Sequence, residues 1–105
     1  MIVAFSVAPS GPRPDGTQPG TDSVSEAVAA AVRVVRESGL PHETSSMFTS
    51  VEGEWDEVMD VVRRATEAAG HYGSRVSLVL KADIRPGWTG QMQAKVARVE
   101  EWLRD

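Results

Sequence analysis

Apolar residues fall along this chain in stretches whose spacing changes from segment to segment, and the spacing predicts the elements. Residues 2–8 are apolar on both parities and stop at Pro9-Ser10-Gly11, which predicts a buried central strand. Residues 9–20 carry four Pro and three Gly with no apolar period, so the 9–22 segment is read as a loop. Val24, Val28, Ala31, Val32 and Val35 then recur at helical spacing. Ser23 or Ser25 starts this helix, with Ser23 and Glu26 spaced as a capping box, and Gly39 and Pro41 stop it. Residues 42–54 are rich in Thr, Ser and Val and predict two antiparallel strands, about 42–47 and 49–53, tightly joined. A second helix from 54 or 55 to 69 places Trp55, Val58, Met59, Val62, Ala65 and Ala69 on one side, ended by Gly70 and Gly73. Residues 75–85 alternate, with Val76, Leu78, Leu80, Ala82 and Ile84 on one face and Ser77, Val79, Lys81, Asp83 and Arg85 on the other. A last helix over 89–103 carries Met92, Val96, Val99 and Leu103.

The predicted order is strand, helix, strand, strand, helix, strand, helix. Right-handed crossovers close the first six into an α+β, ferredoxin-like split βαβ sandwich (βαββαβ), with an additional C-terminal helix. Residues 1–105 are read as a single ligand-binding domain. Both crossover helices cover one sheet face, leaving the other open. A face of that kind is usually covered by another subunit, so a homo-oligomer, dimer or tetramer, is expected through the sheet faces.

Composition narrows the function. At 41% apolar and 25% charged, the chain is ordinary for a globular protein. It has no Cys, which excludes a disulfide scaffold, a thiolate metal site and a Cys nucleophile. A formal net charge of −4 argues against a nucleic-acid partner. Nothing directs the chain to a membrane, because the apolar run at the start is short and lacks a basic flank, so a cytoplasmic protein is expected.

Two groups carry candidate chemistry. Lys81, Asp83 and Arg85 share one face at the C-terminal end of the last strand, where Asp83 can accept from an amine and the cations can hold an anion. The same residues suit an ion-pair ladder, and residue types alone leave both open. Around the hairpin, Thr44, Ser46, Phe48, Thr49, Glu52 and Glu54 offer the hydroxyls, ring and carboxylates that a flat heterocycle requires. Alternation divides them between two faces, so a polar strand edge is the competing interpretation. His42 and His71 stand too far from other ligands for a metal site. No nucleophile elbow, phosphate loop or dinucleotide fingerprint occurs, so neither catalysis nor a cofactor is expected.

Five segments in order, Ile2-Val3-Ala4-Phe5-Ser6-Val7-Ala8-Pro9, Ser23-Val24-Ser25-Glu26, Glu37-Ser38-Gly39-Leu40-Pro41, Met47-Phe48-Thr49 with Val51-Glu52-Gly53-Glu54-Trp55, and Lys81-Ala82-Asp83-Ile84-Arg85, resemble the small thiamine-binding protein family. The resemblance spans nearly the whole chain. It implies a ferredoxin-like fold, assembly through sheet faces, and binding of thiamine or its hydroxymethylpyrimidine part without turnover, as carrier, buffer or sensor. It also implies a site at Ser6, Thr44, Met47, Phe48, Thr49, Glu52, Asp83 and Arg85. The chain departs from the family pattern in its longer, Pro-rich loop and in Ala27 and His42, where Tyr is expected. The rival expectation is therefore an interaction oligomer that keeps the fold without the ligand.

Overall fold

In chain order the elements are β1 (Ile2–Ser10), α1 (Ser23–Glu37), β2 (His42–Thr44), β3 (Thr49–Glu52), α2 (Trp55–Ala69), a 3-10 turn (Gly70–Tyr72), β4 (Arg75–Asp83) and α3 (Gln91–Leu103). They come from a computed structural model that describes residues 1–17 and 23–104. The strands form one antiparallel sheet in the order β2-β3-β1-β4, with α1 and α2 over one face. This is the ferredoxin-like arrangement, with α3 as the additional C-terminal helix.

Alternation along β1 sets the layers. Val3, Phe5 and Val7 are buried beneath the helices, whereas Ile2, Ala4 and Ser6 on the reverse face are only half-buried. β4 pairs with β1 over its whole length, from Ile2 opposite Asp83 to Ser10 opposite Arg75. Val76, Leu78, Leu80 and Ala82 therefore share the helix face, and Ser77, Val79, Lys81 and Asp83 the reverse one. β3 is much shorter and pairs only with Ile2 to Phe5. From Ser6 onward, β1 has a strand neighbour on one side only among the described residues.

The helices bury a narrow core of small side chains. Ala27, Ala31 and Val35 of α1 meet Val58, Val61, Val62, Ala65 and Ala69 of α2 over Val3, Phe5 and Val51. The buried stripe of α1 is thus rotated from the one its valines predict, and Val24 and Val28 are exposed. Alanines at 27 and 31 let α1 approach its neighbours closely, so they take the inner positions. Gly39, at φ 76°, ends α1 as expected, while the Ser38 amide bonds back to the Val34 carbonyl at 3.1 Å. At the start of α2, Glu57 accepts from the Glu54 amide at 3.2 Å. The predicted α1 capping box rests on the Ser23 side chain, which lies outside the described part.

Boundaries differ from expectation at several points: the strand predicted over 75–85 ends at Asp83, leaving Ile84 and Arg85 beyond it, and the last helix begins at Gln91 rather than 89. The predicted strands over 42–47 and 49–53 shorten to β2 and β3 because Ser45 closes a turn. Its amide donates to the Phe48 carbonyl at 2.8 Å, and its Oγ accepts from the Phe48 amide at 3.2 Å. In the 9–22 segment, β1 continues to Ser10. Beyond it, Arg13 accepts from Gly16 and donates to Thr17 through its backbone, at 2.8 Å each. The Arg13 guanidinium lies 3.3 Å from Glu26 and over the Tyr72 ring at 5.3 Å. Residues 18–22 of the predicted loop lie outside the described residues.

Candidate functional site

A cleft of about 520 Å³ opens between the N-terminal half of α1, the end of β1 and the turn joining β2 to β3. Val24, Val28, Ala31 and Val32 form its helical wall, Phe5 to Ala8 its floor, and Thr44 to Thr49 the opposite wall. Each wall has a local cause. The rotation of α1 that buries Ala27 and Ala31 turns Val24 and Val28 outward into this space. The Ser45 turn lifts Met47 and Phe48 out of the strand ladder, leaving both exposed at the rim. Thr44 and Thr49 face each other across β2 and β3, which puts both hydroxyls on the helix side of the sheet.

The floor is chemically distinct from the rest of the sheet. Because β3 leaves β1 after Phe5, the edge from Ser6 to Ala8 has no strand partner on the cleft side among the described residues. Main-chain donors and acceptors along that edge are available to a ligand. The Ser6 side chain, opposite Val79 in register, lies on the reverse face, so this residue meets the cleft through its strand edge. None of the described lining residues is charged. The cleft combines apolar walls, hydroxyls and a free strand edge, a set suited to a small, flat, uncharged heterocycle.

Five of the eight predicted site residues, Ser6, Thr44, Met47, Phe48 and Thr49, line this cleft. The structure gathers Glu52, Asp83 and Arg85 elsewhere, with Met1, Ile2, Trp88, Gln91 and Lys95, around a space of only about 10 Å³. Glu52, on the reverse face of β3, is buried. Its carboxylate accepts from the Gln91 amide at 2.7 Å and the Met92 amide at 3.2 Å, capping the start of α3. Asp83 forms an ion pair with Lys95 of α3. That hydrogen bond and the Lys95 charge hold the Asp83 carboxyl below its usual range, helped by the charges of Arg85 and Lys81. The Arg85 guanidinium stacks on Trp88, 3.5 Å from the ring centroid. The contacts of Glu52 and Asp83 moor the start of α3 to the sheet, whereas Arg85 and Trp88 both lie in the link between β4 and α3.

Sequence reasoning did not find Ser45, the outward valines of α1, or the free edge of β1. The adjacent Ser45-Ser46 pair is a turn signal that locates the first of these. Among the described residues, no three His, Cys, Asp or Glu side chains gather to hold a metal ion, and no helix is long and apolar enough to cross a membrane.

The comparisons with known proteins agree with this architecture. Residues 3–100 match the model of a family described as thiamine-binding protein. A UPF0045 protein of Mycobacterium bovis is 50% identical over 104 residues, covering 98% of this chain and 94% of its own length. A Bacillus cereus domain of unknown function superposes with a TM-score of 0.76 at 34% identity, covering 92% of this chain and 86% of that one. A hypothetical protein from Methanocaldococcus jannascii superposes with a TM-score of 0.78 at 28% identity, covering 95% of each chain. The match along almost the whole chain, together with the shared fold, means that the chain belongs to the thiamine-binding protein family.

Proposed function

We propose that this protein binds thiamine, or its hydroxymethylpyrimidine part, in the cleft between α1 and the β2–β3 turn. It does so without turnover, as a cytoplasmic carrier, buffer or sensor. The observation that carries the reading is the convergence of Thr44, Thr49, Met47 and Phe48 on the unpaired edge of β1. An aminopyrimidine presents a flat face and an edge of alternating donors and acceptors. Phe48 and Met47 offer that face a ring and a polarisable thioether, while the hydroxyls and main-chain groups suit the edge. Family membership supports the ligand class. An uncharged lining favours the neutral pyrimidine as the inserted half, with the cationic thiazolium directed past the rim toward solvent. In this reading Glu52 and Asp83 serve the ligand only indirectly, by fixing α3, and Arg85 by stacking on Trp88 in the link that leads to it. Copies of the chain associate through the uncovered sheet face, as a dimer or tetramer.

Calorimetric titration of the full chain with thiamine and with hydroxymethylpyrimidine tests the ligand. Saturable heat is expected for both. Phe48 is half-exposed, so Phe48→Ala keeps the fold and weakens affinity about tenfold, the loss of roughly one stacking contact. Asp83→Ala leaves affinity nearly unchanged. Flat traces from folded protein would refute the ligand reading and favour a protein-interaction role. Binding lost in Asp83→Ala but kept in Phe48→Ala would move the site to the α3 moorings.

A further inference from the structure

Two apolar walls face each other across the cleft. Val24 and Val28 of α1 form one, Met47 and Phe48 the other, and all four are exposed, Val24 by 53% and Met47 by 73%. Apolar surfaces that face each other across water gain by closing together. A standing cleft of about 520 Å³ therefore requires that the start of α1 be held from elsewhere.

Arg13 is placed to do so. It stands between Pro12 and Pro14, and a following proline disfavours helical backbone at the residue before it. Main-chain bonds to Gly16 and Thr17 close the turn that carries it, and Asp15 accepts from the Thr17 amide at 2.9 Å and from its hydroxyl at 2.7 Å. The guanidinium of this stiffened residue joins its own loop to Glu26, in the first turn of α1, and to the Tyr72 ring, in the turn after α2. Tyr72 in turn packs against the core. Glu26 lies two residues from Val24 and two from Val28, about 200° around the helix from each, so the tie acts from behind the wall. Arg13 is not among the described residues that line the cleft.

We propose that Arg13 is a positioning residue for the ligand cleft. Its tie to Glu26 and Tyr72 holds the first turns of α1 back from the β2–β3 turn and keeps the cleft open to an uncharged heterocycle. The inference rests on the reading of this cleft as the ligand site. An exposed ion pair and a cation–π contact each add little to global stability, yet together they favour the open cleft over the closed one by up to about tenfold. Apparent affinity scales with the open fraction, so loss of the tie weakens binding by about five- to tenfold. Stability changes little, because closure buries Val24 and Val28 in its place.

The test is calorimetric titration of the full chain, wild type and variants, with hydroxymethylpyrimidine, beside urea denaturation and amide exchange. Arg13→Ala is expected to bind about five- to tenfold more weakly while its denaturation midpoint barely moves. Arg13→Lys keeps the charge without the planar stack and falls between, and Tyr72→Phe keeps the ring face and binds as the wild type does. Salt gives a further readout. Neither the pyrimidine at neutral pH nor the described lining is charged, so wild-type affinity declines with added NaCl through screening of Arg13 and Glu26, and Arg13→Ala shows no such decline. Unchanged affinity in Arg13→Ala would overturn the positioning role and leave the ligand reading standing. Parallel loss of stability and affinity would also overturn it, since Arg13 would then only support the fold. Flat wild-type traces would overturn the ligand reading. The tie is then judged without ligand, upheld by faster exchange of the amides of residues 26–32 in Arg13→Ala and overturned by unchanged exchange.

Discussion

Removing the Glu52 carboxylate should release α3 while leaving the sheet folded. Glu52 is 5% exposed, and its two oxygens accept from two of the amides that an α-helix leaves without internal partners at its start. No cap side chain replaces it, because the N-cap position is Gly90, at φ 65°. Loss of a helix cap costs about 0.5–2 kcal/mol, and the carboxylate's interaction with the helix dipole adds about 0.3–1 kcal/mol. Glu52→Ala should therefore weaken α3 by about 2 kcal/mol, roughly a thirtyfold fall in the protection of its amides from hydrogen exchange. Glu52→Gln keeps an acceptor but not the charge and should lose about tenfold or less. The assay is amide exchange at one fixed protein concentration, comparing amides of residues 94–103 with those of β1 and β4. Equal loss of protection in α3 and in the sheet would refute the reasoning, since Glu52 would then be supporting the core rather than the helix.

Three other perturbations test the fold and its pH response. Phe5 is 2% exposed, so Phe5→Ala should cost about 3–5 kcal/mol, a large share of the stability of a domain this small, measured by urea denaturation. A Cβ on Gly73 would sit 2.6 Å from the Ser10 carbonyl oxygen and 2.9 Å from the Ser10 nitrogen, both backbone atoms; Gly73→Ala should destabilise by about 1–3 kcal/mol, and an unchanged melting temperature would contradict the close packing of β1 on the turn before β4. Lys95 lowers the Asp83 carboxyl below its ordinary value of 3.8, so the stability it adds is fully present above that pH and is lost as pH falls through the lower folded value. Asp83→Asn should remove this part of the acid sensitivity of α3 exchange, and an identical acid profile in the variant would sink the assignment.

Local signals carried most of the architecture. Helical spacing located α1, α2 and α3, and strict alternation assigned both faces of β4, because these periods are properties of a few neighbouring residues and survive any tertiary context. The glycine at 39 ended α1 for an equally local reason, its access to positive φ. Resemblance to a known family supplied an expected ligand class and a set of expected site residues that local pattern left open.

Only the tertiary structure decided how those site residues divide. The unpaired edge at Ser6 exists because β1 has nine residues and β3 has four, a mismatch between segments about forty residues apart. The inward face of α1 was decided by the close approach that Ala27 and Ala31 permit, which sent Val24 and Val28 into the cleft. Glu52 and Asp83 are expected ligand groups in the sequence, and pairing with β1 puts both opposite Ile2 on the reverse face, where they contact α3. Periodicity fixes which way a side chain faces, whereas strand register and helix packing determine what it faces, and the division between cleft and mooring depends on the latter.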